Sequence, residues 1–193
     1  MRLPIRITKR TPWWLIIISL AIGLAQYYGW LEKPGQVLQA NQPGQYAVTR
    51  VFDGDTIEVD MNGARETIRL IGVDTPETQD PRKPVQCFGR AASDFTKELL
   101  KNQAVRLEAD PLSQNRDRYD RLLRYAYLSD GRLIQAEIIR RGYGFAYTSF
   151  PFTKSQEFTE YQREARSSNR GLWASCELKE NEFGGFEASP ESQ

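Results

Sequence analysis

The chain contains no histidine, and that absence closes off several chemistries at once. A Ser-His-Asp or Cys-His arrangement cannot be built, nor can a zinc site with imidazole ligands. Cysteine is nearly missing too: with only Cys87 and Cys176, an all-cysteine zinc site is also excluded. A catalytic metal here must be held by oxygen, which favours a hard cation such as calcium or magnesium. Excess charge is the third thing lacking. The formal net charge is +1 over 193 residues, so no global basic field announces a nucleic-acid partner. The balance is uneven all the same: residues 1–31 carry Arg2, Arg6, Lys9 and Arg10 with no acid, whereas the last seventeen residues hold one lysine and five acids. Residues 32–176 come to +1, so any nucleic-acid role must rest on local arrangement. Hydrophobic residues at 40% and charged residues at 26% are ordinary for a globular protein, with length for one domain plus appendages.

Charge is also wholly absent between Arg10 and Glu32, in the run TPWWLIIISLAIGLAQYYGWL. Such a run is long enough to cross a bilayer as a helix. Trp13 and Trp14 stand at one end and Tyr27, Tyr28 and Trp30 at the other, as interfacial aromatics do. With four positive charges ahead of it, the run reads as an uncleaved membrane anchor over 1–31, the remainder of the chain being exported. A cleaved signal peptide ending near Gly23-Leu24-Ala25 is the alternative, giving a secreted protein. In an oxidising compartment, a Cys87–Cys176 disulfide is favoured over two buried free thiols.

Residues 32–45, EKPGQVLQANQPGQ, lack periodicity and read as a linker. Strand patterns follow in QYAVTRVF, DTIEVDM and ETIRLIGV, with Asn62-Gly63 as a hairpin signal between the last two. Helical spacing appears over 89–102, 133–142 and 154–168, and strands are expected at 105–110 and 121–131. The pattern predicts an α+β domain over 46–176. Its five strands suit a small closed barrel with about three helices, since closure removes sheet edges. The acidic stretch 177–193 is expected to be disordered.

Three islands carry chemistry. In VFDGDTIEV, Asp53 and Asp55 flank Gly54, which alone is also ordinary turn chemistry. In RLIGVDTPET, Arg69 sits within an aliphatic strand, where it needs a partner or a ligand. In NRDRYDRLLR, Arg116 and Arg118 look like solvated loop charges, whereas Arg121 opens a strand and points inward. Together they describe one reaction. Asp55 and Asp74, with the Thr75 carbonyl, supply hard oxygens to a divalent cation. Two arginines match a phosphodiester through forked hydrogen bonds, and Glu77 takes a proton from attacking water.

At this point the chain resembles the staphylococcal nuclease (thermonuclease) family. The resemblance rests on DGDT at 53–56, RLIGVDTPE at 69–77 and DRYDR at 117–121, followed in order by QCFGRAASDF, IIRRGYGFAY and NRGLW. It covers residues 46–176. It implies a five-stranded oligonucleotide-binding (OB-fold) barrel and a calcium-dependent nuclease that cuts DNA and RNA to leave 3′-phosphates. It further implies calcium on Asp55, Asp74 and the Thr75 carbonyl, Glu77 as general base, and Arg69 and Arg121 on the phosphate. Arg118 and Tyr119 match the family's nucleotide-contacting pair. Tyr147 matches a further binding tyrosine, with this chain one residue shorter there. One departure concerns Asp120, where family members commonly have glycine. Aspartate tolerates left-handed backbone, but its charge beside Arg121 is expected to weaken phosphate binding. A monomer with no small-molecule cofactor is expected, attached to the membrane through its N-terminal helix. An oligonucleotide-binding barrel without catalysis is the rival reading, and a structural part of a surface complex is a third.

Overall fold

The computed structural model describes residues 44–78, 84–181 and 185–191. The expected anchor and nearly all of the expected linker lie outside them. Among the described residues no helix is long and apolar enough to cross a membrane.

Five strands close into a barrel in the order β1-β2-β3-β6-β5. They are β1 (Gln45–Val51), β2 (Thr56–Met61), β3 (Ala64–Leu70), β5 (Ala104–Glu108) and β6 (Leu122–Tyr127). All neighbours are antiparallel except β3 and β6, which run parallel with Ile68 opposite Leu122. The β2–β3 turn is the expected Asn62-Gly63, with φ of +58° and +89°, and the Gly63 N–H donates to the Asp60 carboxylate. Alternation along these strands puts Ile57, Val59, Met61, Ile68, Leu70, Val105, Leu107, Leu122 and Ala126 inside. A single Ile or Leu so enclosed contributes about 1.5–3 kcal/mol relative to exposure.

Among the described residues there are four helices: α1 (Gly89–Leu99), α2 (Ile134–Arg140), α3 (Ser155–Ser167) and a single turn, α4 (Leu172–Ser175). The first three match the helical spacings in the sequence. The fourth is too short for periodicity to reveal. Buried Gln135 pins α2 to β6: its Oε1 accepts from the Ala126 N–H (3.2 Å) and its Nε2 donates to the Arg124 carbonyl (2.9 Å). Outside the barrel, β4 (Val73–Asp74) pairs with β7 (Phe145–Ala146), which brings the chain after α2 against the segment carrying Asp74.

The described part of the tail departs from expectation. In place of disorder there is a hairpin, β8 (Leu178–Glu180) with β9 (Phe186–Ala188). Its acidic composition conceals two apolar anchors. Ala188 is buried with Phe145 and Leu172, and the Phe186 ring lies 6.1 Å from that of Phe145 and 5.1 Å from that of Trp173. The Cys87–Cys176 disulfide is formed and borders this second, smaller core.

Candidate active site

The site grows from the turn before β2. Gly54 is buried, its carbonyl accepts from the Thr96 hydroxyl of α1 (2.8 Å), and a Cβ there would stand 2.6 Å from the Thr75 side chain. Only glycine lets the two segments meet. Asp55 is buried as well. Its Oδ2 accepts from the Thr75 N–H (2.8 Å) and hydroxyl (3.1 Å), and its Oδ1 from the Thr56 hydroxyl (3.1 Å). The Asp55 N–H in turn donates to Asp53 (3.1 Å).

Arg69 joins this turn to Asp74. Its Nε lies 3.3 Å from Asp55 and its Nη2 donates to Asp74 (2.9 Å). Nη1 donates to the carbonyls of Leu70 (3.0 Å) and Val73 (2.7 Å). Burial disfavours its charge, but Asp55, Asp74 and Asp53 outweigh burial and raise the guanidinium above its ordinary range. So many internal partners leave few donors to spare. A forked bond to phosphate requires Arg69 to exchange one of its carboxylates.

The carboxylates themselves are crowded. Burial, and then the neighbouring Asp55, push Asp53 up to about 7. Asp74 is raised to about 6 by burial, with Asp55, Glu77 and Glu187 adding to the rise against the pull of Arg69. Oxygen donors held together against their own repulsion fit a hard divalent cation, which would relieve that repulsion. Among the described residues, however, no cluster of three or more acidic, cysteine or histidine side chains forms a ready metal cage. Asp55 and Asp74 would therefore hold a cation together with a carbonyl such as that of Thr75, water or substrate phosphate.

Glu77 lies three residues beyond Asp74, and its Oε1 accepts from the Thr78 N–H (2.8 Å). Arg121 is half-buried immediately before β6. Its Nε donates to Asp117 (2.7 Å), its N–H to the same carboxylate (3.0 Å), and its Nη1 reaches the Thr56 hydroxyl (3.4 Å). Thr56 pairs with Arg69 across β2 and β3, so one residue links both arginines. The Tyr119 ring is exposed, with the guanidinium carbons of Arg118 and Arg121 at 4.8 and 5.3 Å from its centre. Tyr147 follows β7, its N–H donating to the Gly72 carbonyl (2.9 Å) and its ring partly exposed.

Two expectations about charge are corrected. Asp120 does adopt the left-handed conformation, with φ of +64°. Its carboxylate, though, is exposed and faces Arg116 (3.6 Å), and the acid on Arg121 is Asp117 instead. Arg116 is not a solvated loop charge either: it grips both oxygens of Glu66 at 3.0 and 3.1 Å. Sequence reasoning also passed over Thr56, Thr96 and Asp117. Asp117 is hidden in a run of charges that reads equally well as a solvated face, and no periodicity or charge pattern singles out the threonines.

The family model described as staphylococcal nuclease homologue matches residues 67–175. A thermonuclease of Staphylococcus hyicus is 44% identical over 159 residues, which is 82% of this chain and 91% of that protein. One from Staphylococcus intermedius is also 44% identical, over 82% of this chain and 94% of its own. Endonuclease YncB of Bacillus subtilis is 39% identical, over 74% and 69%.

Proposed function

Since the chain belongs to the staphylococcal nuclease family, we propose that it hydrolyses phosphodiester bonds of DNA and RNA with little sequence preference, in a calcium-dependent reaction leaving 3′-phosphates. The observation that carries this reading is the hydrogen-bonded unit of Asp55, Thr75, Arg69 and Asp74, with Glu77 beside it. Asp55, Asp74 and the Thr75 carbonyl would hold the calcium ion, which would supply positive charge beside the phosphate. Arg69 and Arg121 hold the non-bridging oxygens and meet the charge that develops on them. Glu77 accepts a proton from water as its oxygen attacks phosphorus. The bond from phosphorus to the 5′-oxygen breaks, so one fragment ends in a 3′-phosphate and the other in a 5′-hydroxyl. Tyr119 and Tyr147 offer stacking surfaces that every base satisfies, consistent with low sequence preference.

The N-terminal pattern supports an anchored protein with this domain on the extracytoplasmic side. A disulfide between Cys87 and Cys176 suits that compartment.

The test uses the purified full-length chain on single-stranded DNA and RNA, with calcium and with chelator, beside Glu77→Gln. Cleavage is expected with calcium alone and about 10²–10⁴-fold slower in the variant. Binding without cleavage under calcium would leave an oligonucleotide-binding barrel as the correct description.

A further inference from the structure

The backbone of Glu77 is gripped from outside the barrel. Its N–H donates to the Gln86 Oε1 (2.7 Å), and the Gln86 N–H donates back to the Glu77 carbonyl (3.0 Å). A residue nine positions on thus takes both main-chain groups of the expected base. The other end of the same amide, Nε2, donates to the Glu187 carboxylate of β9 (2.9 Å). Two backbone bonds run beside this link: the Cys87 N–H to the Ser189 carbonyl and the Glu191 N–H to the Val85 carbonyl, both at 2.8 Å. The Cys87–Cys176 disulfide and the seating of Phe186 against Phe145 and Trp173 hold the hairpin that carries Glu187. From below, Gly89 packs so closely that a Cβ would lie 3.1 Å from the Glu77 carbonyl oxygen.

We propose that Gln86 and Glu187 are positioning residues for Glu77, so that the C-terminal β8–β9 hairpin is part of the active-site architecture. The proposal rests on reading Glu77 as the general base. The chemistry at position 86 is specific: an acceptor must face Glu77 while a donor faces Glu187. Only an amide does both in one short planar group. A carboxylate keeps the acceptor but meets Glu187 with like charge. Small displacements of a base cost rate rather than binding, because proton transfer requires hydrogen-bond reach to the attacking water.

The experiment compares the full-length wild type with Q86E, E187Q and the exchanged pair Q86E/E187Q. It reads kcat and KM on single-stranded DNA with calcium, and hydrogen exchange of the Glu77 amide by NMR. Q86E is expected to lower kcat about 10–100-fold with KM changed by less than about threefold, and to speed exchange at Glu77. E187Q keeps an acceptor for Gln86, so exchange at the Glu77 amide is expected to stay near that of the wild type, and faster exchange there counts against the proposal. The exchanged pair restores donor and acceptor in reverse, so kcat and Glu77 protection return toward wild type. A fall in affinity without a fall in kcat, unchanged exchange in Q86E, or an exchanged pair no better than Q86E would overturn the proposal. If Q86E does not fold, Glu187→Ala at the exposed end reads the same link, with lowered kcat expected and unchanged kcat fatal. A wild type that fails to cleave sinks the nuclease reading, and exchange at Glu77 then judges the positioning on its own.

Discussion

Arg69 shows how much of this site is decided by single side chains. It holds two carboxylates and two carbonyls at once, and a lysine ammonium cannot reproduce that planar fork. Arg69→Lys should therefore keep the charge yet lower kcat/KM by about 10²-fold or more, read by steady-state cleavage of DNA. Gly54 is as exacting for the opposite reason, since it contributes nothing but space. Gly54→Ala would drive a methyl into Thr75, the residue that holds Asp55, and should cost about 1–3 kcal/mol in denaturant unfolding together with a fall in cleavage rate. Arg69, Asp74 and Glu77 were legible as candidates because two acids and an arginine beside aliphatics demand partners, and Asp55 became one only beside them. Asp117 was not, because DRYDR reads equally well as a run of solvated charges.

Elements were legible where local chemistry dictates them. Asn62-Gly63 marks a turn, and helical spacing places α1, α2 and α3 within a few residues. The connections between elements depend on groups that no periodicity reveals. Asp110, just past β5, accepts from the Leu112 N–H (2.8 Å), the Tyr125 hydroxyl (2.7 Å), and the N–H (2.8 Å) and hydroxyl of Thr153. It thereby ties three segments together. Burial pushes its carboxyl up, but these donors outweigh burial and hold it below the ordinary range. A depressed folded-state pKa contributes stability that is fully present above the unfolded value, about 3.9, and is lost as pH falls from there through the folded value. The stability gap between wild type and Asp110→Asn should accordingly be widest above about pH 5 and shrink on acidification, followed by chemical denaturation across pH. At neutral pH the variant should lose about 1–3 kcal/mol.

At the scale of the whole molecule, the chain closes on itself through Cys87 and Cys176, which are 89 positions apart. Closing so long a loop restricts the unfolded chain by about 4–5 kcal/mol in the chain-entropy account. Cys87→Ser/Cys176→Ser should lower stability by about 2–5 kcal/mol, seen as a lower melting temperature that reductant no longer affects. The same pair borders the core of Phe145, Leu172 and Ala188, so loosening it should also free the hairpin that reaches Gln86. The proposed anchor over residues 1–31 rests on the charge-free run 11–31 and its aromatic ends. Protease shaving of intact cells, expected to remove the domain while leaving the run in the membrane fraction, tests it.

Residue type and spacing by themselves narrowed the reaction class, because a chain without histidine and with two cysteines can build neither imidazole-based catalysis nor an imidazole or all-cysteine zinc site. They also determined the barrel strands and three helices, since alternation, helical spacing and turn residues act over neighbouring positions. Only the tertiary structure decided which acid neutralises Arg121, which amide grips Glu77, and that an acidic tail folds as a hairpin. Those outcomes depend on contacts between residues far apart in the chain, such as Gln86 with Glu187 and Thr96 with Gly54, whose free energy exists only after the barrel has brought them within reach.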